Sequence, residues 1–120
     1  MFKSVNLLET MSAMAGHAAK RHAVIADNVA NADTPNFQAK DIRGFSEIYE
    51  SAAKQGTPLT EAVNTLIPMD TGQATSPNGN SVSLEQQMML SAQVKGDHEM
   101  ALAVYRKSLD MMKMAMGKNI

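Results

Sequence analysis

The chain has 120 residues, 44% hydrophobic but only 4% aromatic, with eleven Met against three Phe, two Tyr and no Trp. That length suits one domain, excludes two enzyme-sized ones, and implies a core of Met, Ala, Leu, Val and Ile in place of large rings. Eleven basic against twelve acidic residues give a net charge of −1; with no block of like charge, neither counterion-driven nucleic-acid binding nor polybasic membrane anchoring has a basis, and the absence of Cys excludes disulfides and thiolate metal sites.

The first residues imitate a cleavable signal, with Leu7 and Leu8 following Lys3, but Asn6, Glu9, Thr10 and Ser12 interrupt the apolar run that a secretory segment needs. The segment is therefore expected to belong to the mature fold. Leu8, Met11, Ala15, Ala18, His22, Ile25, Val29 and Ala32 recur at alternating spacings of three and four, a heptad a/d register that predicts a helix over the first thirty or so residues. Half of that seam is Ala or His, so it suits close helix approach better than a thick core.

Residues 38–82 differ in composition, holding most of the prolines and glycines. Phe45, Ile48, Tyr49, Ala52 and Ala53 share one face of a predicted short helix that Gly56 caps. A weaker helical candidate places Leu59, Val63, Leu66 and Ile67 before Pro68, and Asp70 to Asn80 reads as loop. No period-two pattern predicts a strand.

Ser76-Pro77-Asn78-Gly79-Asn80 is turn chemistry, and Ser83 with Gln86 forms a capping-box signature. A long helix is expected from Leu84. Its strongest stripe is Leu102, Tyr105, Leu109, Met112 and Met116, broadened by Ala101, Val104, Met111 and Ala115. Glu85 near its start and Arg106, Lys107, Lys113 and Lys118 near its end complement the helix dipole. Gly96 within Lys95-Gly96-Asp97 marks either a kink or a costly glycine on a solvent face.

The most informative stretch is Asn28-Val29-Ala30-Asn31-Ala32-Asp33-Thr34-Pro35-Asn36-Phe37, a helix exit followed by a tight turn. Asn28 and Asn31 share a helix face, where their amides can bond backbone groups left open at the helix end. Asp33 and Thr34 can close side-chain turns, Pro35 suits position i+1 of a β-turn, and Asn36 at i+2 tolerates positive φ. Phe37 then returns an apolar ring toward the helix.

In Asn28, Ala30, Asn31, Thr34 and Phe37 the chain resembles the rod and hook family of flagellar axial proteins, whose N-terminal helix ends in an Asn-x-Ala-Asn motif before a Thr-x-Gly-aromatic turn. Asn36 stands where that family usually carries Gly. The run Ala39-Lys40-Asp41-Ile42, and Pro77-Asn78-Gly79-Asn80-Ser81-Val82-Ser83-Leu84-Glu85 leading into Gln87-Met88, narrow the resemblance to proximal-rod members. It covers both terminal helices and their junctions and leaves the middle unmatched.

The expected fold is mainly α, with N- and C-terminal helices pairing as an antiparallel coiled-coil-like hairpin around a partly irregular central segment. One structural domain is expected, built from residues 1–37, 38–82 and 83–120. The resemblance implies a structural subunit of the flagellar basal body rod, exported without a cleaved signal peptide to the periplasm. Its implied partners are its own copies and other rod proteins, together with membrane-ring and export-gate components including the ring-to-rod adaptor. Packing is expected through Leu8, Met11, Ala15, Ala18, Ile25 and Val29, facing Leu102, Tyr105, Leu109, Met112 and Met116. The turn motif Asn28, Ala30, Asn31, Asp33, Thr34, Pro35 and Phe37 would sit beside that seam.

No cofactor, metal, nucleic acid or small-molecule substrate is expected, and no enzymatic activity. His17 and His22 are five apart, unlike a zinc pair on one helix face. Asp33 and Asp41 lack the apolar pocket of a catalytic carboxylate pair, and Gly117-Lys118 lacks the other residues of a phosphate loop. The alternative from another class is a small helical adaptor or export chaperone whose Met-rich groove grips a partner helix.

Overall fold

Two long helices set the dimensions of the molecule. The structure, a computed structural model, describes residues 2–117, with side chains from Asn6 onward; expectations placed on Lys118 lie outside the described residues. In chain order the elements are α1 (Phe2–Ala30), β1 (Lys40–Asp41), α2 (Phe45–Gln55), α3 (Leu59–Asn64), β2 (Met69–Asp70) and α4 (Leu84–Ala115). The expected mainly helical hairpin is observed. α1 and α4 run antiparallel, and Ala18, Ile25 and Val94, joined by Leu90, form one apolar cluster between them.

The molecule is elongated, 63 × 31 × 15 Å, with a radius of gyration of 17.6 Å, whereas a compact domain of this length has about 14 Å. Two helices side by side can bury only one stripe each. On α4 the buried positions are Gln87, Val94, Ala101 and Ser108, each seven residues after the last, which is a heptad seam. On α1 the positions Ala18 and Ile25 are buried, Met11 is half-buried, and His22 and Val29 on the flanking line stay exposed.

This geometry corrects the expected facing of the seam onto the stripe Leu102 to Met116. From the Asn28–Gln87 contact at one end, equal rise along antiparallel helices brings Ser108 level with the first turns of α1 and carries Met116 past its start. Met116 is accordingly exposed, while Leu102, Tyr105, Leu109 and Met112 are half-buried beside the true seam at Ala101 and Ser108. Small and polar seam residues allow close approach, but they shift the strongest apolar periodicity onto the neighbouring stripe. Gly96 neither kinks nor packs: α4 continues through it, and open space surrounds the place of its missing Cβ.

The middle of the chain lies along a second face of α1. Ala13, Ile48 and Val63 form a small core that Phe45, Leu59, Ala62 and Leu66 complete. α2 ends as expected at Gly56, in left-handed conformation at φ 70°, where the N–H groups of Gly56 and Thr57 both reach Ala52 O. Ile48 and Ala52 are its buried residues; Tyr49 and Ala53, expected on the same face, are exposed. α3 stops at Asn64, earlier than the apolar pattern suggested, and leaves Ile67 75% exposed. Thr65 Oγ1 turns back onto Glu61 O at 3.0 Å, and Pro68 disfavours helical backbone at Ile67. The unforeseen strands are two residues each, pairing Lys40 with Asp70 and Asp41 with Met69.

The seam is tight at Ala101, which is fully buried, so Ala101→Leu should overpack it and lower stability by about 1–3 kcal/mol. Gly96→Ala, on an open helical surface, should raise stability by about 1 kcal/mol. Denaturant unfolding of the two variants checks both signs.

Candidate functional site

The two turn motifs, separated in sequence by the whole central region, meet at the closed end of the hairpin. Asn28 is fully buried on the last turns of α1. Its Nδ2 donates to Lys40 O at 2.8 Å, and its Oδ1 accepts from Lys40 N at 3.0 Å. The side-chain amide thus pairs with the backbone of Lys40 as a neighbouring strand would. The same Nδ2 donates to Gln87 Oε1 of α4 at 3.1 Å, so one amide ties α1, β1 and α4 together. A buried amide left without such partners would be costly; here Lys40 and Gln87 supply them.

Asn31 serves the helix exit. Its Nδ2 donates to Asp27 O at 2.9 Å, a carbonyl of the last turn of α1 that also accepts from Asn31 N at 3.1 Å, and its Oδ1 accepts from Thr34 Oγ1 at 3.0 Å. The latter bond makes the side-chain turn that Asp33 was also expected to make, and Asp33 stands exposed. Phe37 N donates to Thr34 O at 3.3 Å, closing a turn in which Asn36 takes φ 64°. That is the left-handed position i+2 expected after Pro35. Ala30, Thr34 and Pro35 are exposed, and Phe37 is half-buried with Lys40 Nζ 5.4 Å from its ring centre.

The second motif folds against this turn as its counterpart. Asn80 is buried, and its Nδ2 donates to Asn31 O at 2.8 Å and Thr34 O at 2.7 Å, while its Oδ1 accepts from Val82 N. Asn36 N donates to Asn78 O, and Ser81 N to Phe37 O, both at 3.0 Å. Ser81 Oγ, also buried, accepts from Ala39 N at 2.7 Å. Gly79 is required twice over, because its φ is +82° and a Cβ there would run into Asn36. Ser83 then caps α4 by accepting from Gln86 N at 3.3 Å. The reciprocal half of the expected capping box is not made, since the Gln86 side chain bonds Gln73 instead.

Below the clasp, α1 holds the central segment through residues that sequence reasoning missed as site residues. Arg21 grips Asp41 with two bonds, Nε to Oδ1 at 3.0 Å and Nη2 to Oδ2 at 2.9 Å. Lys20 Nζ donates to Val63 O and Asn64 O at the C-terminal end of α3, where the carbonyls favour a cation. Buried His17 donates from Nε2 to Arg43 O at 2.6 Å and meets the Phe45 ring edge-on at 5.7 Å. His17, Arg21, Val24 and Asn28 recur at helical spacing, a signal that reads in sequence as an ordinary solvated face.

What this arrangement does is mechanical: it fixes the register of two long helices and the angle at which the chain leaves and re-enters them. Among the described residues no group of three His, Asp or Glu is placed to hold a metal ion, and none of the described helices is long and apolar enough to cross a membrane.

Asn28→Ala should cost about 2–4 kcal/mol, since it strands the buried polar groups of Lys40 and Gln87, each worth about 1–3 kcal/mol when unpaired. Gly79→Ala should cost about 1–3 kcal/mol through backbone strain and collision with Asn36. Both losses would appear in denaturant unfolding, and amide exchange would show them concentrated around residues 28–40 and 78–87.

Comparison with known proteins matches the first of these segments. The family model described as "Flagella basal body rod protein" matches residues 8–38, most of α1 and the turn after it. A flagellar basal body rod protein FlgB of Agrobacterium fabrum is 26% identical over 127 aligned positions, covering 95% of this chain and 95% of that protein. Proteins of the same description are 32% identical in Proteus mirabilis and 34% identical in Aeromonas hydrophila, each over 85 positions. Those alignments take in 57% of this chain, and 62% and 60% of the two relatives. In its N-terminal helix and turn, and along most of its length, the chain is thus similar to flagellar basal body rod proteins of FlgB type.

Proposed function

We propose that the chain is a non-enzymatic structural subunit of the proximal flagellar rod, placed in the periplasm between the membrane ring with its export gate and the distal rod. It would be exported without cleavage of a signal peptide and would transmit torque through packed helices. The observation that carries this reading is a hairpin registered at one end and left open along its flank. His22 and Val29 on α1, with Met88 and Ser91 on α4, line a groove whose exposed surface is mainly apolar. Met89, Met100, Met111 and Met114 also stand more than half exposed on α4. Apolar surface of this extent on a thin, elongated chain calls for cover by other chains, and head-to-tail contacts that do not close build filaments.

In this reading the partners are further copies and other rod proteins, with membrane-ring and export-gate components, including the ring-to-rod adaptor, at the base. Leu8, Met11, Ala15, Ala18 and Ile25, the exposed Val29 beside them, and the half-buried Leu102, Tyr105, Leu109 and Met112 serve packing within and between subunits. Met116, exposed at the end of α4, serves contacts between subunits. The clasp residues hold the angle between helices and central segment so that every subunit presents the same shape. Flexible Met side chains suit a surface that meets slightly different neighbours.

Truncation after Leu109 should abolish rod formation and motility in a strain lacking the native chain, while the shortened chain is still exported and soluble; normal rods would sink the reading. On the purified full-length chain, helicity that rises with association supports the rod subunit. A discrete dimer that melts cooperatively would point to the adaptor instead, and circular dichroism with sedimentation distinguishes the two.

A further inference from the structure

The chain contains one Asn-Gly step, Asn78-Gly79, and it stands at the tip of the clasp. Glycine has no side chain to hinder its amide nitrogen from approaching the side-chain carbonyl carbon of the preceding Asn. In the closed clasp both reacting groups are engaged elsewhere. Gly79 N–H donates to Ser76 O at 2.8 Å. Asn78 Oδ1 accepts from Ser76 Oγ at 2.6 Å and from Asn80 N at 3.1 Å. From outside, Asn36 N–H holds Asn78 O, Gln38 Nε2 holds Gly79 O at 3.0 Å, and the Asn36 side chain fills the space beside Gly79.

We propose that Asn78 is a conformation-gated deamidation site, shielded while the clasp is closed and reactive whenever it opens. In the open chain the Gly79 nitrogen gives up its proton and attacks Asn78 Cγ. The new C–N bond closes a succinimide, the Cγ–Nδ2 bond breaks, and ammonia leaves with the proton. Water then opens the ring at either carbonyl, giving aspartate or its isoaspartyl isomer; the net change is side-chain amide plus water to carboxylate plus ammonium, with no oxidant or reductant.

The two products differ in what the clasp tolerates. Asn78 Oδ1 serves the turn only as an acceptor, a role that a carboxylate oxygen fills equally well. The isoaspartyl form routes the backbone through Cγ, and the added methylene displaces Gly79 from its close fit against Asn36. A chain left open long enough to isomerise would thereby lose the ability to close its hairpin. This inference rests on the turn itself and stands apart from the rod assignment.

The test incubates the full chain in mildly alkaline buffer, folded or unfolded in guanidinium chloride, with deamidation located by peptide mass spectrometry and isoaspartate by enzymatic methylation. Asn78 should be the first site modified in the unfolded chain. It should react at least about tenfold more slowly in the folded chain, because the rate follows the open fraction. Asn80→Ala, which removes the bonds to Asn31 O and Thr34 O, should give an intermediate rate at native helicity; if its helicity falls, Gln38→Met serves in its place. Equal rates in the folded and unfolded chains would overturn the proposal. So would first modification at another residue, or a clasp variant of native helicity that is as slow as the parent.

Discussion

The architecture depends on one buried amide. Asn28 pairs with both backbone groups of Lys40 and with Gln87, and no other side-chain type supplies that donor and acceptor set except a longer Gln. Through Lys40 it sets where the chain begins its return along α1, and through Gln87 it sets which heptad of α4 faces which heptad of α1. A slip by one turn would move Asn28 away from both. Apolar contacts between Ala18, Ile25 and Val94 tolerate several registers; hydrogen bonds to a buried amide tolerate one.

Around that point the molecule divides its stabilising interactions in an unusual way. The side of α1 facing α4 is apolar and shallow. The side facing the central segment is polar, with His17, Lys20, Arg21 and Asn28 bonding backbone carbonyls and Asp41. Most of those bonds end on backbone and not on other side chains, so they fix the path of the central segment while making few demands on its composition. The small core of Ala13, Ile48 and Val63 then needs only to fill the space under α2 and α3.

Much of this was legible in the residues. The start of α4 followed from Ser83 and Gln86, the end of α2 from Gly56, and the turn after α1 from Pro35 and Asn36, because in each case the signal is local backbone chemistry. Less legible was the seam of α4, where Gln87 and Ser108 occupy buried positions that a search for apolar periodicity passes over. The pairing of the two turn motifs is also hidden in the sequence. Nothing in Asn80 alone says that its amide will reach Asn31 and Thr34 across the central region. Arg21 with Asp41 and His17 with Arg43 were hidden for the same reason, as contacts distant in sequence carry no period.

The clasp sits at one end only. From there α1 is braced by the central segment down to Ala13, but the far half of α4 touches the molecule along a single narrow line ending near Ser108. The hairpin is therefore clamped like a tuning fork with one stiffened tine, and sideways compliance rises along α4 with distance from Gln87. A neighbouring chain that grips the free end of α4 would gain leverage over its direction, whereas one that grips the clasp would find it unyielding.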